Sequence, residues 1–322
     1  MRTLILNGKT IKRLLKMEDV LRCVREAFIN EPKISMPPKN YLILKNGDFR
    51  AMPVSYGRYA GIKWVNVHPG NKNRNLPTVM AVFILNDAKT GFPIAIMDAT
   101  TITDYRTGAS AGIATDLLSR SDSKVLGLVG CGRQAWTQFL ALSLVRNIEK
   151  IILYDIKKER AEALKENIIS QKNLDVVIAD DLSLMKECDI ISTTTPSTSP
   201  VLMMSHIRNG VHINAMGADA PGKQEIDPII LKKAKIVVDN MEQAIHSGEV
   251  NVPIKKGIIS ERNIYGTLGE IVRGRKIGRR RIDEITLFDS TGLAIQDIAV
   301  ASFLYERARV AEIGEEFKFI DF

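Results

Sequence analysis

The sequence predicts an α/β protein in which a Rossmann-type, doubly wound parallel sheet domain is inserted into a second α/β domain. Between about Ser123 and Asp289, short apolar or β-branched runs alternate with helical stretches, the pattern of a parallel sheet covered by helices. One of these runs ends in the glycine motif Gly130-Cys-Gly-Arg-Gln-Ala135 and leads into a helical pattern. The region before it is rich in strand-like runs, and a further helical run follows it.

The first 110 residues predict a helix followed by a β-rich domain. Lys16–Phe28 has the spacing of an amphipathic helix, and Pro37-Pro38 ends the connection after it. Strand-like runs lie at Lys39–Leu44, Asp48–Met52, Ala60–Val67, Thr78–Leu85 and Pro93–Asp98, with turns at Asn46-Gly47, Pro69-Gly70 and Lys89-Thr90-Gly91. We expect a sheet with open edges that is used for dimerisation.

The central region predicts the strands and helices of the inserted domain. Its strand-like runs are Val125–Val129, Ile151–Tyr154, Val176–Ala179, Ile190–Thr194, Val211–Met216 and Ile236–Asp239, and its earlier helices are Trp136–Val145 and Lys158–Ile169. A last helix, Ala299–Ala308, is expected to return to the first domain. The predicted division is therefore 1–115 plus 298–322 for a substrate-binding and dimerisation domain, and 116–297 for the Rossmann domain.

The glycine motif indicates a dinucleotide site. Gly130 allows a tight turn, Gly132 lets backbone N–H groups approach the pyrophosphate, and the small last residue lets the helix pack closely on the strand. The second strand ends in Asp155, about 20 residues downstream, where a carboxylate accepts hydrogen bonds from ribose hydroxyls and repels a 2′-phosphate. We therefore expect the Rossmann domain to bind NAD rather than NADP, a preference that Lys157 and Lys158 could weaken. The alternative is a turn whose glycines serve packing alone.

Composition and charge exclude several classes of protein. The 322 residues carry 45 Lys and Arg against 37 Asp and Glu, a formal net charge of +8, part of which lies in Arg273–Arg281. This basic run contains glycines and no aromatic residues, so we expect a surface loop and no nucleic-acid binding. No apolar run approaches about 18 residues, and the N-terminus is too short and too polar for a signal peptide. We expect no membrane association and a cytoplasmic location.

The cysteines and histidines indicate neither a disulfide framework nor a metal site. Cys23, Cys131 and Cys188 are far apart and form no CxxC pair, and the four histidines form no HxH or HxxxH pair. Cys131 lies inside the glycine motif, where we expect a small residue rather than a nucleophile. No metal is expected.

Several polar residues stand in apolar surroundings, where a charge is costly without a partner. Arg50 and Lys63 lie in predicted strands. A buried lysine can have a lowered pKa and act in acid–base chemistry, and the alternative for Lys63 is an outward-facing charge. Arg106 is expected to open a helix of small residues, a position suited to phosphate or carboxylate. Asp219 follows a predicted strand, and Phe288–Gly292 has the form of another strand end with polar residues.

Taken together, these segments form a set of motifs that extends over nearly the whole chain. They are Arg50-Ala-Met-Pro53, Gly61-Ile-Lys-Trp-Val-Asn-x-His-Pro-Gly-Asn71, Leu76-Pro-Thr-Val-Met-Ala81, Arg106-Thr-Gly-Ala109, Gly130-Cys-Gly-Arg-Gln-Ala135, Gly217-Ala-Asp-Ala-Pro-Gly-Lys-Gln-Glu225 and Phe288-Asp-Ser-Thr-Gly-Leu-Ala-Ile-Gln-Asp297. In composition and order they resemble the ornithine cyclodeaminase/μ-crystallin family, and most closely its archaeal alanine dehydrogenase branch. The resemblance implies a homodimer whose dimerising α/β domain is made from both ends of the chain, with an inserted Rossmann domain.

The resemblance also implies roles for the candidate residues. Lys63 would hold the substrate's carboxylate or carbonyl oxygen and act as acid or base, and Asp219 would move the proton of the amine or of water. The expected substrate-binding residues are Lys39, Arg50, Arg106 and Thr291. The expected NAD contacts are Thr78, Arg106, Gly130, Gly132, Arg133, Gln134, Asp155, Thr195, Met216, Gly217, Ala218, Lys223 and Ser290.

The activity that the resemblance implies is that of an NAD-dependent alanine dehydrogenase acting on a small amino acid or 2-oxo acid. L-Alanine would give a hydride to NAD, and water would release pyruvate and ammonia, in either direction. Cyclodeaminases typically carry an acid where this chain has Arg50 and an arginine where it has Lys39. A second cation beside the pocket would disfavour the ammonium tail of ornithine by roughly 1–4 kcal/mol. Ornithine cyclodeaminase, an imine reductase and a non-catalytic, crystallin-like nucleotide binder are the alternatives.

Overall fold

The computed structural model describes residues 1–320 and divides into two compact units. Unit 1 comprises Met1–Arg106 and Leu293–Phe322, and unit 2 comprises Thr107–Gly292. The chain passes from unit 1 to unit 2 inside one helix, Ala99–Leu118. The boundaries predicted from sequence, 115/116 and 297/298, fall inside this helix and inside the helix Ala294–Val310.

Strands and helices alternate along most of the chain. The strands are β1 Thr3–Leu6, β2 Asn40–Leu44, β3 Gly47–Tyr56, β4 Tyr59–Val67, β5 Val79–Asp87, β6 Pro93–Asp98, β7 Val125–Val129, β8 Lys150–Tyr154, β9 Asp175–Ile178, β10 Ile190–Thr193, β11 Thr198–Leu202, β12 His212–Ala215, β13 Gln224–Ile226, β14 Lys235–Val238, β15 Ile264–Thr267, β16 Thr286–Asp289 and β17 Glu315–Phe317. The α-helices are α1 Gly8–Leu14, α2 Met17–Asn30, α3 Ala99–Leu118, α4 Arg133–Val145, α5 Lys158–Gln171, α6 Pro228–Lys233, α7 Met241–Ser247, α8 Asn251–Lys255, α9 Leu268–Val272 and α10 Ala294–Val310. No helix within residues 1–320 is long and apolar enough to cross a membrane.

Unit 1 is built on a seven-stranded sheet with the order β17-β1-β6-β5-β4-β3-β2. β1 and β6 are parallel, and the other neighbours are antiparallel. Side chains alternate between the two faces of a strand, so Met52, Lys63 and Phe83, which are opposite one another, share one face, and all three are buried. α10 packs against β3, β4 and β5, and α2 packs against α10. The other face, which we call the outer face, carries the exposed Leu42, Trp64 and Val82.

Unit 2 confirms the predicted doubly wound parallel sheet. Its eight strands have the order β15-β14-β16-β12-β10-β7-β8-β9, and every neighbouring pair is parallel. The chain runs outward from β7 through β8 and β9, and then returns to β10 on the other side of β7. The reversal between β7 and β10 is a topological switch point, where the carboxyl ends of parallel strands leave a crevice for a ligand. Fully buried residues such as Ile152, Ile191 and Ile213 form the core of this unit.

Candidate active site

The glycine turn lies at the carboxyl end of β7, where the switch point predicts a ligand. Gly130 adopts φ +90°, and a Cβ atom there would lie 3.0 Å from Thr195 Cγ2, so the position requires glycine. Gly132 precedes α4 and provides no side-chain cap to it. A Cβ atom on Gly132 would meet nothing within 4 Å. The N-terminus of α4, which begins with Arg133 and Gln134, is therefore open enough for the pyrophosphate of a dinucleotide.

Asp155 follows β8 and connects this strand end to the glycine turn. Its Oδ2 accepts a hydrogen bond from the Cys131 N–H at 2.8 Å, and its Oδ1 accepts one from the Lys157 N–H at 2.8 Å. A carboxylate oxygen has two lone-pair sites, so Asp155 can also accept hydrogen bonds from ribose hydroxyls. Burial, and secondly the charge of Asp155, raises the pKa of the Cys131 thiol to about 12. The thiol is therefore protonated at neutral pH, which does not suit a nucleophile.

A buried carboxylate to which the sequence analysis gave no role, Glu225 of β13, joins two strand ends. Its Oε1 accepts from the Thr195 N–H at 2.6 Å, and its Oε2 accepts from the Gly217 N–H at 2.7 Å and the Thr193 hydroxyl at 2.8 Å. A Cβ atom on Gly217 would lie 2.1 Å from the Thr195 carbonyl oxygen. Burial raises the pKa of Glu225 above its usual value, and these hydrogen bonds offset only part of the rise. Glu225 thus fixes the backbone at two expected cofactor contacts.

Two further buried carboxyl groups lie near Glu225. Glu249 accepts from the Glu225 N–H at 2.9 Å, and burial, followed by the charge of Glu225, raises the pKa of Glu249 well above its usual range. Asp289 accepts from the Val250 N–H at 3.2 Å. Its Oδ1 has no hydrogen-bond partner among the described residues. Burial raises the pKa of Asp289 to about 8, helped by the charge of Asp239.

The loop after β12 places Asp219 and Lys223 in contact. Lys223 Nζ lies 2.6 Å from Asp219 Oδ1 and 3.4 Å from the Gly217 carbonyl oxygen. Met216 and Ala218 are buried, whereas the side chains of Asp219 and Lys223 are partly exposed. Asp219 is therefore held by a lysine that the sequence analysis assigned to the cofactor.

The carboxyl end of β16 is held by Asp239, which follows β14. Asp239 Oδ2 accepts from the backbone N–H groups of Thr291 and Gly292, both at 2.7 Å. Its Oδ1 accepts from the Thr291 hydroxyl at 3.0 Å, and the Ser290 hydroxyl lies 3.3 Å from Oδ2. Asp239 thereby fixes Ser290 and Thr291, two residues for which the sequence analysis predicts ligand contacts.

In unit 1, Lys63 is buried in the sheet face covered by α10. Only 1% of its side chain is exposed, so the outward-facing alternative is wrong. Its Nζ lies 2.7 Å from Oδ2 of Asp297, in the first turn of α10. The other oxygen of Asp297 is 3.0 Å from Nε of Arg106, and Nη1 of Arg106 donates to Gln296 Oε1 at 3.0 Å. Lys63, Arg106, Gln296 and Asp297 form one buried cluster, which we call the Asp297 cluster.

The position of Arg106 differs from the sequence expectation. Arg106 was expected to open a helix, but α3 begins at Ala99, so Arg106 lies inside the helix and away from its N-terminal N–H groups. The helix begins directly after Asp98, whose side chain accepts from the Thr100 N–H at 3.0 Å and so satisfies one of the free N–H groups of the first turn. The argument from a helix N-terminus is therefore wrong for Arg106, and Asp297 takes the place of the expected anion.

The surroundings of Lys63 bring its pKa close to neutral pH. Desolvation, followed by the positive charges of Arg106 and Lys39, lowers the pKa of Lys63, while Asp297 raises it, and the net value is about 7. An amine in this range can both donate and accept a proton at neutral pH, which is the requirement for reversible acid–base catalysis.

Arg50 has an anionic partner of its own. It lies in β3, is buried, and its Nε is 2.7 Å from Asp48 Oδ1. The guanidinium carbon stands 5.5 Å from the centre of the Tyr41 ring. Lys39, just before β2, is half-buried, and so is Thr78, just before β5. Asp48 offsets part of the positive charge that the sequence analysis expected from Arg50.

The basic run Arg273–Arg281 follows α9 and has no regular secondary structure after that helix. Arg279 is not a free surface cation, because it donates to the Leu118 carbonyl at 2.7 Å and to the Glu284 carbonyl at 2.6 Å. Arg281 is exposed and pairs with Asp283 at 2.8 Å. Part of this run therefore serves to hold the chain within unit 2.

The model of the Ornithine cyclodeaminase/mu-crystallin family matches residues 1–312. The chain belongs to this family. The alanine dehydrogenase of Archaeoglobus fulgidus is 48% identical over 322 residues, which is 99% of this chain and 99% of that protein. A solved structure of an archaeal alanine dehydrogenase dimer with bound NAD matches with a TM-score of 0.97 and 47% identity, covering 99% of this chain and 100% of the other. The Δ1-pyrroline-2-carboxylate reductase of Thermococcus litoralis, solved with NADH and L-proline, matches with a TM-score of 0.95 and 36% identity over 97% and 99% of the two chains.

The family membership confirms the resemblance inferred from the motifs, and the structure adds residues to which those motifs gave no role. Glu225 is the last residue of the motif that begins at Gly217, and Gln296 and Asp297 end the motif that begins at Phe288. Their places at the ends of these motifs are the sequence signal that could have identified them. Asp239 stands outside every motif, and only the fold brings it to Thr291.

Proposed function

We propose that this chain is an NAD-dependent oxidoreductase of amino acids whose substrate is L-alanine. The reaction converts L-alanine, NAD and water to pyruvate, ammonia and NADH, and it runs in both directions. The observation that carries the proposal is Lys63, a buried amine whose pKa of about 7 lets it exchange a proton, beside the fixed guanidinium of Arg106. The full-length similarity to alanine dehydrogenase supports alanine as the substrate.

The residues at the strand ends of unit 2 fit NAD. Gly130, Gly132 and the start of α4, with Arg133 and Gln134, would hold the pyrophosphate, and Asp155 would accept from the ribose hydroxyls. NAD, when bound, supplies the hydride acceptor. The remaining contacts are assigned to Thr78, Arg106, Thr195, Met216, Gly217, Ala218, Lys223 and Ser290. Glu225 and Asp239 would act indirectly, because Glu225 accepts from the backbone N–H groups of Thr195 and Gly217 and Asp239 accepts from the hydroxyl of Ser290.

Lys63 and Asp219 are the proposed catalytic residues. Lys63 would stabilise the developing charge on the substrate oxygen and give or take a proton there. Asp219 would take the proton of the amine or of the attacking water, with Lys223 at 2.6 Å holding its carboxylate in place. Because Lys63 is close to half-protonated at neutral pH, it suits either direction of the reaction.

Binding of the substrate carboxylate is assigned to Lys39, Arg50, Arg106 and Thr291. A pocket lined by cations favours a short, uncharged side chain over the ammonium tail of ornithine. Because Asp48 pairs with Arg50 at 2.7 Å, we expect the discrimination at the lower end of roughly 1–4 kcal/mol. Alanine thus remains the preferred substrate over ornithine, by a smaller margin than unpaired cations would provide.

A second candidate is the reduction of a cyclic imine. The similarity to the T. litoralis enzyme that was solved with NADH and L-proline favours it. A cyclic imine acid carries the same carboxylate and the same imine carbon as the intermediate of alanine oxidation. The same lysine and guanidinium would serve both, and the pocket's size would decide between the two substrates.

We also propose a homodimer formed through the outer face of unit 1. Leu42, Trp64 and Val82 are 52%, 41% and 44% exposed on this face, and a contiguous apolar surface of this kind marks an interaction site. A second copy of the chain is the occupant, since the similar archaeal alanine dehydrogenase is a dimer. The expectations of no nucleic acid, no membrane and a cytoplasmic location stay predictions from the sequence.

The test is an absorbance assay for NADH with purified protein, NAD and a panel of amino acids, and with NADH and imine acids in the reverse direction. Net NADH formation with alanine is the expected result. Proline formed from ornithine without net NADH would identify a cyclodeaminase, and faster oxidation of NADH with a cyclic imine acid would identify an imine reductase. NAD binding without turnover of any compound would point to a nucleotide binder and overturn the enzyme assignment.

A further inference from the structure

We propose that Asp297 is a positioning residue that fixes Lys63 and Arg106 relative to each other and balances the charge of Lys63. The role of these two cations in substrate binding rests on the proposed function. The geometry that assigns Asp297 to them is independent of it and lies entirely within unit 1.

The carboxylate of Asp297 uses one oxygen for each cation. Oδ2 lies 2.7 Å from Lys63 Nζ, and Oδ1 lies 3.0 Å from Arg106 Nε. Side-chain exposure is 0% for Asp297, 1% for Lys63 and 8% for Arg106, so water does little to screen the three charges. A single planar group thus sets the separation of the two nitrogens.

The start of α10 explains why an anion is stable at this buried position. Asp297 lies in the first turn of the helix, where the helix dipole favours negative charge. The preceding residue, Gln296, accepts from Arg106 Nη1 at 3.0 Å. The helix therefore presents an anion and a neutral acceptor side by side, and Arg106 is held at two of its nitrogens.

Among the charged groups around Lys63, Asp297 is the one that favours the protonated amine. Arg106 on α3 and Lys39 before β2 are positive, and both lower the pKa of Lys63, as burial does. Its neighbours within the sheet, Met52 and Phe83, are apolar. Asp297 acts in the opposite direction through its charge and its hydrogen bond. Without Asp297, Lys63 would lose its proton well below neutral pH and could no longer act as an acid there.

The first arm of the test is the pH dependence of kcat and of kcat/KM in Asp297→Asn, with the amino acid that the substrate panel selects. The limb that reports Lys63, near pH 7 in the wild type, is expected to move at least about one unit to lower pH, a tenfold change in proton affinity. Asp297→Glu, which keeps the charge, should return the limb toward the wild-type position. Gln296→Met is the matched control, because it removes a contact to Arg106 without removing a charge, and it should leave the limb in place.

The second arm needs no substrate, so it separates this inference from the proposed function. Thermal unfolding is measured against pH for the wild type, Asp297→Asn and Asp297→Asn combined with Lys63→Met. The folded-state pKa of Lys63 lies below its unfolded value of 10.5, so the folded protein loses stability as pH falls from the unfolded pKa to the folded one, and no more below that. In the wild type this loss is complete near pH 7, whereas Asp297→Asn lowers the folded-state pKa further and extends the loss to lower pH. The stability loss of Asp297→Asn should therefore grow as pH falls below about 7, and Lys63→Met should abolish this growth. A loss that is equal at every pH, with an unmoved kinetic limb, would show a structural role alone and overturn the proposal.

Discussion

Three buried carboxylates of the candidate site, one in unit 1 and two in unit 2, are satisfied in different ways. In unit 1, the carboxylate of Asp297 is met by the side-chain cations Lys63 and Arg106. In unit 2, the carboxylates of Glu225 and Asp239 are met chiefly by backbone N–H groups and hydroxyls. A backbone amide cannot titrate, so these contacts fix loops. A lysine amine can titrate, so the contacts of unit 1 can take part in a proton transfer.

The difference also separates the expected consequences of mutation. Removing one member of a buried ion pair leaves an uncompensated charge, which costs about 3–5 kcal/mol. Removing a carboxylate that holds backbone groups leaves several donors without an acceptor, each worth about 1–3 kcal/mol when buried. In unit 1 the damage should appear first in chemistry, and in unit 2 first in the shape of the cofactor loops.

The largest expected effect tests whether the titrating groups carry the chemistry. Lys63→Ala and Asp219→Ala should each lower kcat by about 10²–10⁴. Both should leave the Kd for NAD, measured by fluorescence titration, nearly unchanged. Lys45→Ala, at an exposed position in the turn between β2 and β3, is the matched control and should keep wild-type turnover. If a variant of Lys63 or Asp219 retains more than about a tenth of the wild-type rate, that residue has a structural role and not a catalytic one.

Much of the fold could be predicted because its signals are local. The glycine motif, the acid at Asp155 and the alternation of β-branched runs with helices depend on residues close in sequence. Three strands do not stand out in the local sequence: β15 contains a glycine, β17 begins with two glutamates, and β1 pairs with β6 and β17, which are distant in sequence. β11 and β13, which form a separate two-stranded sheet, are likewise not predicted from the local sequence.

The candidate site was less predictable, because its partners come from distant parts of the chain. Lys63 could be selected as a charge in an apolar strand, but its partner Asp297 is supplied by a helix more than two hundred residues away. The run of small residues after Arg106 predicts a helix that starts there, whereas α3 begins at Ala99. Tertiary pairing of this kind leaves no pattern in local sequence.

Glu225 provides the sharpest test of the backbone contacts in unit 2. Glu225→Gln keeps the shape but turns an N–H donor toward groups that are themselves donors, at Thr195 and Gly217. We expect a loss of about 1–3 kcal/mol in unfolding free energy and roughly a tenfold higher Kd for NAD. Calorimetric unfolding and NAD titration measure the two effects. Glu242→Gln, exposed at the start of α7, is the control, and an unchanged Kd for NAD in Glu225→Gln would contradict the assigned role.

Asp155 holds the glycine turn through the Cys131 N–H and is also expected to bind ribose. Asp155→Ser removes the charge that repels a 2′-phosphate. The ratio of kcat/KM for NADP to that for NAD should rise at least about tenfold, or roughly 1.4 kcal/mol. Loss of the contact to the Cys131 N–H weakens the binding of NAD and of NADP alike, so this effect cancels in the ratio. Steady-state kinetics with the two cofactors measure it, and an unaltered ratio would exclude Asp155 as the selecting residue.

Asp289 is the exception in unit 2, because its Oδ1 lacks a hydrogen-bond partner among the described residues. Burial raises its pKa from 3.8 to about 8, with the charge of Asp239 adding to the effect. Between these two values the unfolded chain releases the proton that the folded protein keeps, so stability is lost as pH rises from about 4 to about 8. Asp289→Asn removes this loss. The unfolding free energy of the variant relative to the wild type should therefore increase with pH over that range, by about 1 kcal/mol or more.

Asp283→Asn, at an exposed carboxyl whose pKa is lowered by Arg281, should show no such increase. A difference between Asp289→Asn and wild type that stays constant from pH 4 to pH 8 would mean that Asp289 is already ionised in the folded protein, and that the backbone of unit 2 compensates this carboxylate as fully as it does Asp239.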